Sequence, residues 1–157
     1  RPGRFDEERA RALGVEHGPD FGRLQRGEAV GDVTPDQVLG EPRPGRKLVI
    51  TGDTAPSDLV GAVAHRADLL VHEATFATED AERAAETRHS TARDAAALAA
   101  EAEVKLLALT HLSARYPVSQ VRDEARAEFE ATVIPDDFDT IDLPFPERGE
   151  PVHHRAS

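Results

Sequence analysis

The chain has 157 residues, 30 acidic against 19 basic side chains, a formal net charge of -11 and no cysteine. That length suffices for one ordinary domain with its own core. The composition excludes disulfides and thiolate metal sites, leaving His and carboxylate as the only metal ligands; no apolar run approaches the roughly 20 residues of a membrane span, and the acidity argues against a general nucleic-acid-coating surface.

Lys47 and Lys105 are the only lysines; every other basic residue is Arg. Strong acidity with a thin hydrophobic inventory suits a salt-loving organism, because such a surface stays soluble when salt screens its charges. A GC-rich genome, which also favours Arg and Ala, is the alternative. The opening Arg1-Pro2-Gly3-Arg4-Phe5-Asp6 is neither a signal peptide nor an amphipathic transit sequence. The cytoplasm is therefore the expected compartment. The chain opens on Arg rather than Met and is expected to belong to a longer protein.

In chain order, Asp6 to Leu13 reads as a short helix closed by Gly14. Residues 14–46 are rich in Gly and Pro and read as loops around short elements, with one turn of helix starting at Thr34-Pro35. Lys47–Thr51 is a short apolar strand, Ser57–Arg66 a helix and Asp68–Val71 a second strand. Glu86–Ser90 reads as a loop leading into a helix from Thr91 to Glu103, opened by Thr91 with Asp94 three residues on. Val104–Thr110 is a third strand and Val118–Glu130 a helix; Ala131–Ile134 and Thr140–Leu143 make two last strands. The Pro- and His-rich tail, residues 146–157, is expected to fray, with His153 and His154 in solvent. Strands alternating with helices predict an α/β sheet, at least partly parallel, and continuous apolar strands predict cover on both faces.

Each clear strand runs out into ionisable residues: Thr51-Gly52-Asp53-Thr54, then His72-Glu73-Ala74-Thr75, then Thr110-His111-Leu112-Ser113. Ligands of open α/β sheets bind beyond the carboxyl ends of the strands. Asp alone at such a place is an ordinary turn former. Three convergent endings are harder to ascribe to turns. Asp53 and His111 are the ligand types of zinc, manganese and iron sites that activate water. Gly52 permits an unusual backbone just before Asp53. Two ligands do not hold two ions, and the chain contains no His-x-His-x-Asp-His cluster. His89 stands directly before the capped helix. A loop histidine is commonly just solvated, but here it can act as a general acid beside helix amides, with Glu73 as the partner that orients it.

Four strings occur in order: Gly52-Asp53-Thr54, His72-Glu73-Ala74-Thr75-Phe76, His89-Ser90-Thr91 and Leu109-Thr110-His111-Leu112-Ser113-Ala114-Arg115-Tyr116. Together they resemble the ribonuclease Z family, the tRNA 3′-processing endonucleases of the metallo-β-lactamase superfamily. Upstream, Leu13-Gly14-Val15, Gly18-Pro19, Gly27-Glu28 and Pro42-Arg43-Pro44-Gly45-Arg46 extend the likeness, so that it covers residues 1–145.

The resemblance implies the C-terminal half of an αββα sandwich over residues 1–145, dimeric in the complete protein. It implies Asp53 as a carboxylate bridging two zinc ions, with manganese as an alternative, and His111 as a terminal ligand of the second ion. His89 and Glu73 would form the acid pair at the scissile phosphate of precursor tRNA, and Ser113 and Arg115 would shape the phosphate pocket. The family's His-x-His-x-Asp-His motif, a further His ligand, the catalytic aspartate and the tRNA-clasping arm are absent from these residues and are expected upstream. A second departure is a shortened stretch near Gly31-Asp32-Val33. The expected activity of the complete protein is hydrolysis of an RNA phosphodiester. The alternatives are another hydrolase of the superfamily, a phosphodiesterase or arylsulfatase-like enzyme, against which the His89-Ser90-Thr91 string speaks, and a catalytically inert fragment.

Overall fold

The computed structural model describes residues 1–156, and the chain divides into two compact units, Arg1–Gly45 and Arg46–Ser157. The boundary between them falls in the Pro- and Gly-rich stretch before the first strand. Among the described residues no helix is long and apolar enough to cross a membrane.

The first unit holds helices α1 (Glu7–Ala12), α2 (Pro19–Gln25) and α3 (Pro35–Val38). Asp6 caps α1 by accepting from the Arg9 amide, and Gly14 follows its end at φ 87°. Ala10, Val15, Phe21, Leu24, Val33 and Val38 form a small core. Helix α2 lies where loops were expected. Its Gly22 and flanking glycines mask the pattern, but Phe21 and Leu24 share one face and bury it.

The second unit is built on strands β1 (Leu48–Ile50), β2 (Leu69–Glu73), β3 (Leu107–Thr110) and β4 (Thr132–Val133), paired in that order and all parallel. Between them run α4 (Asp58–Ala64), α5 (Ala81–Thr87), α6 (Ala92–Glu101) and α7 (Val118–Glu128). Helix α6 presents Ala92, Ala95, Ala96 and Ala99, all buried in one cluster with Leu70, Leu107 and Leu109 of the strands and Val121 and Ala125 of α7. Small side chains on that face let the helix come close to the sheet, and each buried Leu contributes about 1.5–3 kcal/mol. Thr91 and Asp94 form the capping box expected at the start of α6.

Cover on both faces holds for the inner strands only. Leu69, Val71, Ala108 and Val133 pack with Ile141 and Leu143 on the other side of the sheet. At the edge strand β1, Leu48 and Ile50 stay 50% and 66% exposed. The tail also departs from expectation. After β5 (Thr140–Asp142), residues Val152–His154 form β6, antiparallel to β5. His153 Nε2 lies 2.7 Å from Asp139 Oδ2, and the Ala156 amide donates to Asp139 Oδ1 at 2.7 Å. One buried carboxylate holds the segment that composition alone marks as frayed.

Candidate metal and acid–base site

Parallel pairing in register brings the carboxyl ends of β1, β2 and β3 to one edge, where Glu73 stands opposite Thr110. The turns after β1, α5 and β3 each use a left-handed residue: Gly52 at φ 71° just before Asp53, Arg88 at φ 61° just before His89, and His111 itself at φ 55°. Such backbone costs a non-glycine residue about 1–2 kcal/mol, and it clusters where side chains must be aimed.

Asp53, His89 and His111 each offer a ligand atom, and these atoms lie within 4.8 Å of one another. The two imidazole rings stack at 5.6 Å between centroids. His111 Nδ1 is 3.2 Å from Asp53 Oδ1, with both side chains about half exposed. Two imidazoles and a carboxylate suit a borderline ion such as zinc. A ligating His ordinarily donates its second ring N–H to a neighbouring acceptor; His111 has the Thr75 hydroxyl oxygen at Nδ1, which leaves its Nε2 for an ion, while His89 Nδ1 faces Glu73. The donor set fits a metal.

Behind this group Glu73 is completely buried. Its Oε1 accepts from the Thr54 amide at 3.0 Å and from His89 Nδ1 at 2.8 Å. Its Oε2 accepts from the Thr75 amide at 3.0 Å and the Thr75 hydroxyl at 2.6 Å. Burial pushes the Glu73 carboxyl up, but the bonds from Thr75, Thr54 and His89 outweigh it and hold the group below the usual carboxylate range.

The sequence-predicted acid pair is therefore brought together, and it adjoins Asp53 and His111. Ser113 and Arg115 stand apart. Ser113 Oγ accepts from the Arg115 amide at 3.3 Å, and the Arg115 guanidinium lies 5.9 Å over the Phe76 ring, which in turn is 6.0 Å from His89. Among the described residues no hydrogen bond links either to Asp53, His89 or His111. Sequence reasoning missed Thr75, whose hydroxyl touches Glu73, His89 and His111. It also missed Ser90, whose buried hydroxyl donates to the Thr54 carbonyl at 2.7 Å. Both lie inside the quoted strings, which is the signal that could have found them. His72 is buried too, with Nδ1 on the Glu73 carbonyl and Nε2 without a partner among the described residues. A groove between α4 and α6, lined by Asp58, His65, Asp94 and Glu101, excludes all the site residues.

No family model matches the chain. It is 51% identical to ribonuclease Z of Natronomonas pharaonis over 157 residues, covering 94% of this chain and 50% of that protein. With ribonuclease Z of Myxococcus xanthus the identity is 52% over 152 residues, 92% of this chain and 50% of the relative. The chain thus spans about half the length of the curated relatives it matches. Several further relatives come from haloarchaea, in keeping with the acidic composition. Among solved structures, the metallo-β-lactamase-fold protein YhfI of Bacillus subtilis matches with a TM-score of 0.52 and 29% identity, over 55% of this chain and 35% of that one. That likeness agrees with the C-terminal half of the fold expected from the sequence.

Proposed function

The chain is homologous to ribonuclease Z over nearly its whole length, and from that we propose that it carries one flank of the hydrolytic centre of a tRNA 3′-processing endonuclease. The observation that carries the reading is the gathering of Asp53, His111 and the Glu73–His89 pair at one sheet edge. In this reading Asp53 and His111 hold metal, zinc or else manganese, and the remaining ligands belong to the half of the relatives that the chain does not span. Bound ions would supply the positive charge that activates water and offsets the charge of the phosphate.

His89 acts on the leaving group. Its Nδ1 is engaged by Glu73, so a proton carried on Nε2 is the one it can give to the departing 3′-oxygen of the tRNA body. The buried Glu73 carboxylate fixes the orientation of the ring. Arg115 and Ser113 line the approach of the phosphate chain, with Arg115 oriented against Phe76. The substrate is precursor tRNA with a 3′ trailer. A homodimeric assembly and the cytoplasm as compartment rest on the resemblance and composition alone.

The test replaces the matched residues of the Natronomonas pharaonis relative with this chain and assays a precursor tRNA. Trailer removal in the presence of zinc or manganese, abolished by Asp53→Ala, is expected. No cleavage by the chimaera beside an active parent enzyme contradicts the proposal.

A further inference from the structure

We propose that Thr75 is a positioning residue whose hydroxyl oxygen fixes the His111 ring proton on Nδ1, leaving Nε2 as that ring's free donor atom. The inference deepens the site just described and rests on that reading for its purpose, but not for its proton count.

Thr75 Oγ1 has three polar neighbours: Glu73 Oε2 at 2.6 Å, His111 Nδ1 at 2.8 Å and His89 Nδ1 at 3.2 Å. A hydroxyl has one proton and two acceptor sites. The 2.6 Å contact has the length of an O–H···O⁻ bond, about 2.5–2.7 Å. Glu73 otherwise accepts from the Thr54 and Thr75 amides, which can only donate. The carboxylate is the acceptor of the cluster and takes the hydroxyl proton. The Thr75 oxygen is then limited to accepting, so each imidazole facing it must carry its proton on Nδ1.

His89 has an independent reason for that form, because its Nδ1 also meets Glu73 Oε1 at 2.8 Å. His111 depends on weaker alternatives. Its other neighbour, Asp53 Oδ1, is more distant at 3.2 Å and sits on a side chain 59% exposed to water. A free imidazole in water favours the opposite form, with the proton on Nε2. The closer Thr75 oxygen therefore decides the tautomer. Engagement by one oxygen also accounts for the near-parallel stacking of the rings, 29° between planes. Glu73 is thereby connected to all three candidate ligand positions: to His89 directly, to His111 through one hydroxyl, and to Asp53 through the neighbouring Thr54 amide.

The test is long-range 1H–15N NMR of the histidine rings in this chain at pH 8.5, without metal or RNA. His111 is expected as the Nδ1–H form in the wild type and in Asp53→Ala. Adding Thr75→Val to Asp53→Ala should exchange its two 15N positions or average them, while His89 keeps Nδ1–H; Thr75→Ser in the same background should restore the starting spectrum. An Nε2–H form of His111 in the wild type, or its appearance on Asp53→Ala alone, overturns the inference even if the valine variant fails to fold. So does a His111 signal indifferent to Thr75→Val. Because the readout needs neither ion nor substrate, failure of the nuclease assay and failure of this inference are separate results.

Discussion

Ser90 Oγ donates to the Thr54 carbonyl at 2.7 Å, tying the entrance of α6 to the turn that carries Asp53. The Thr54 amide is held in turn by Glu73 Oε1. Both backbone groups of the residue after Asp53 are thus anchored to buried side chains, so a half-exposed carboxylate stands on a rigid support.

Ser90→Ala leaves the Thr54 carbonyl without its partner in a part-buried setting. The expected loss of stability is about 1–3 kcal/mol, the cost of an unsatisfied buried polar group, measured by urea unfolding. A change within a few tenths of a kcal/mol would mean that the turn is not held through this bond.

Glu73→Gln keeps the shape of the side chain but turns an amide NH2 toward a backbone N–H, that of Thr54 or of Thr75, which can only donate. At least one buried donor loses its acceptor, again at about 1–3 kcal/mol. The pH dependence carries the sign. Hydrogen bonding holds the native carboxyl below its ordinary value of 4.5 despite burial. Its contribution is complete above that value and is lost as pH falls through the lower native one. Unfolding curves of Glu73→Gln should therefore lie furthest from the wild type above pH 5 and converge with it in acid.

The β5–β6 pairing should be acid-labile. Asp139 accepts from the Ala156 and Asp136 amides and from His153, and these bonds lower its carboxyl to about 2 from an ordinary 3.8. Stability from this group is complete above the ordinary value and vanishes as pH drops toward 2. Hydrogen exchange at the amides of residues 152–154 should accelerate across that window, and Asp139→Asn should show the fast exchange already at pH 7. Equal protection in both proteins at neutral pH would refute the anchoring.

His111 sits in left-handed backbone at φ 55°, where a β-carbon costs about 1–2 kcal/mol. His111→Gly relieves that cost and His111→Ala does not. The glycine variant should be the more stable of the two by about 1 kcal/mol in thermal unfolding, although glycine is normally the less stable choice. The reverse order would show that the turn is relaxed.

The strand ends were legible because apolar runs closing on Asp, His-Glu and His are a local pattern, and parallel pairing places such ends together. Helix α5 was not, since Ala81–Thr87 has only small apolar side chains and the loop reading began inside it at Glu86. The β6 strand was hidden because its stability lies in a bond between His153 and Asp139, 14 residues apart, and not in its own composition. The stacking of His89 on His111 was equally invisible, as it depends on two left-handed turns in separate elements. Glu73 was read as the acid's partner; its role as the common acceptor of the site needed coordinates.

Metal held through Asp53 and His111 is the central requirement of the proposed hydrolytic centre. The direct measurement is metal content by mass spectrometry of the chimaera described above, purified with zinc and dialysed. Two ions per chain are expected, consistent with a two-ion phosphodiester site, with fewer retained in Asp53→Ala and in His111→Ala. An unchanged metal content in both variants would contradict it.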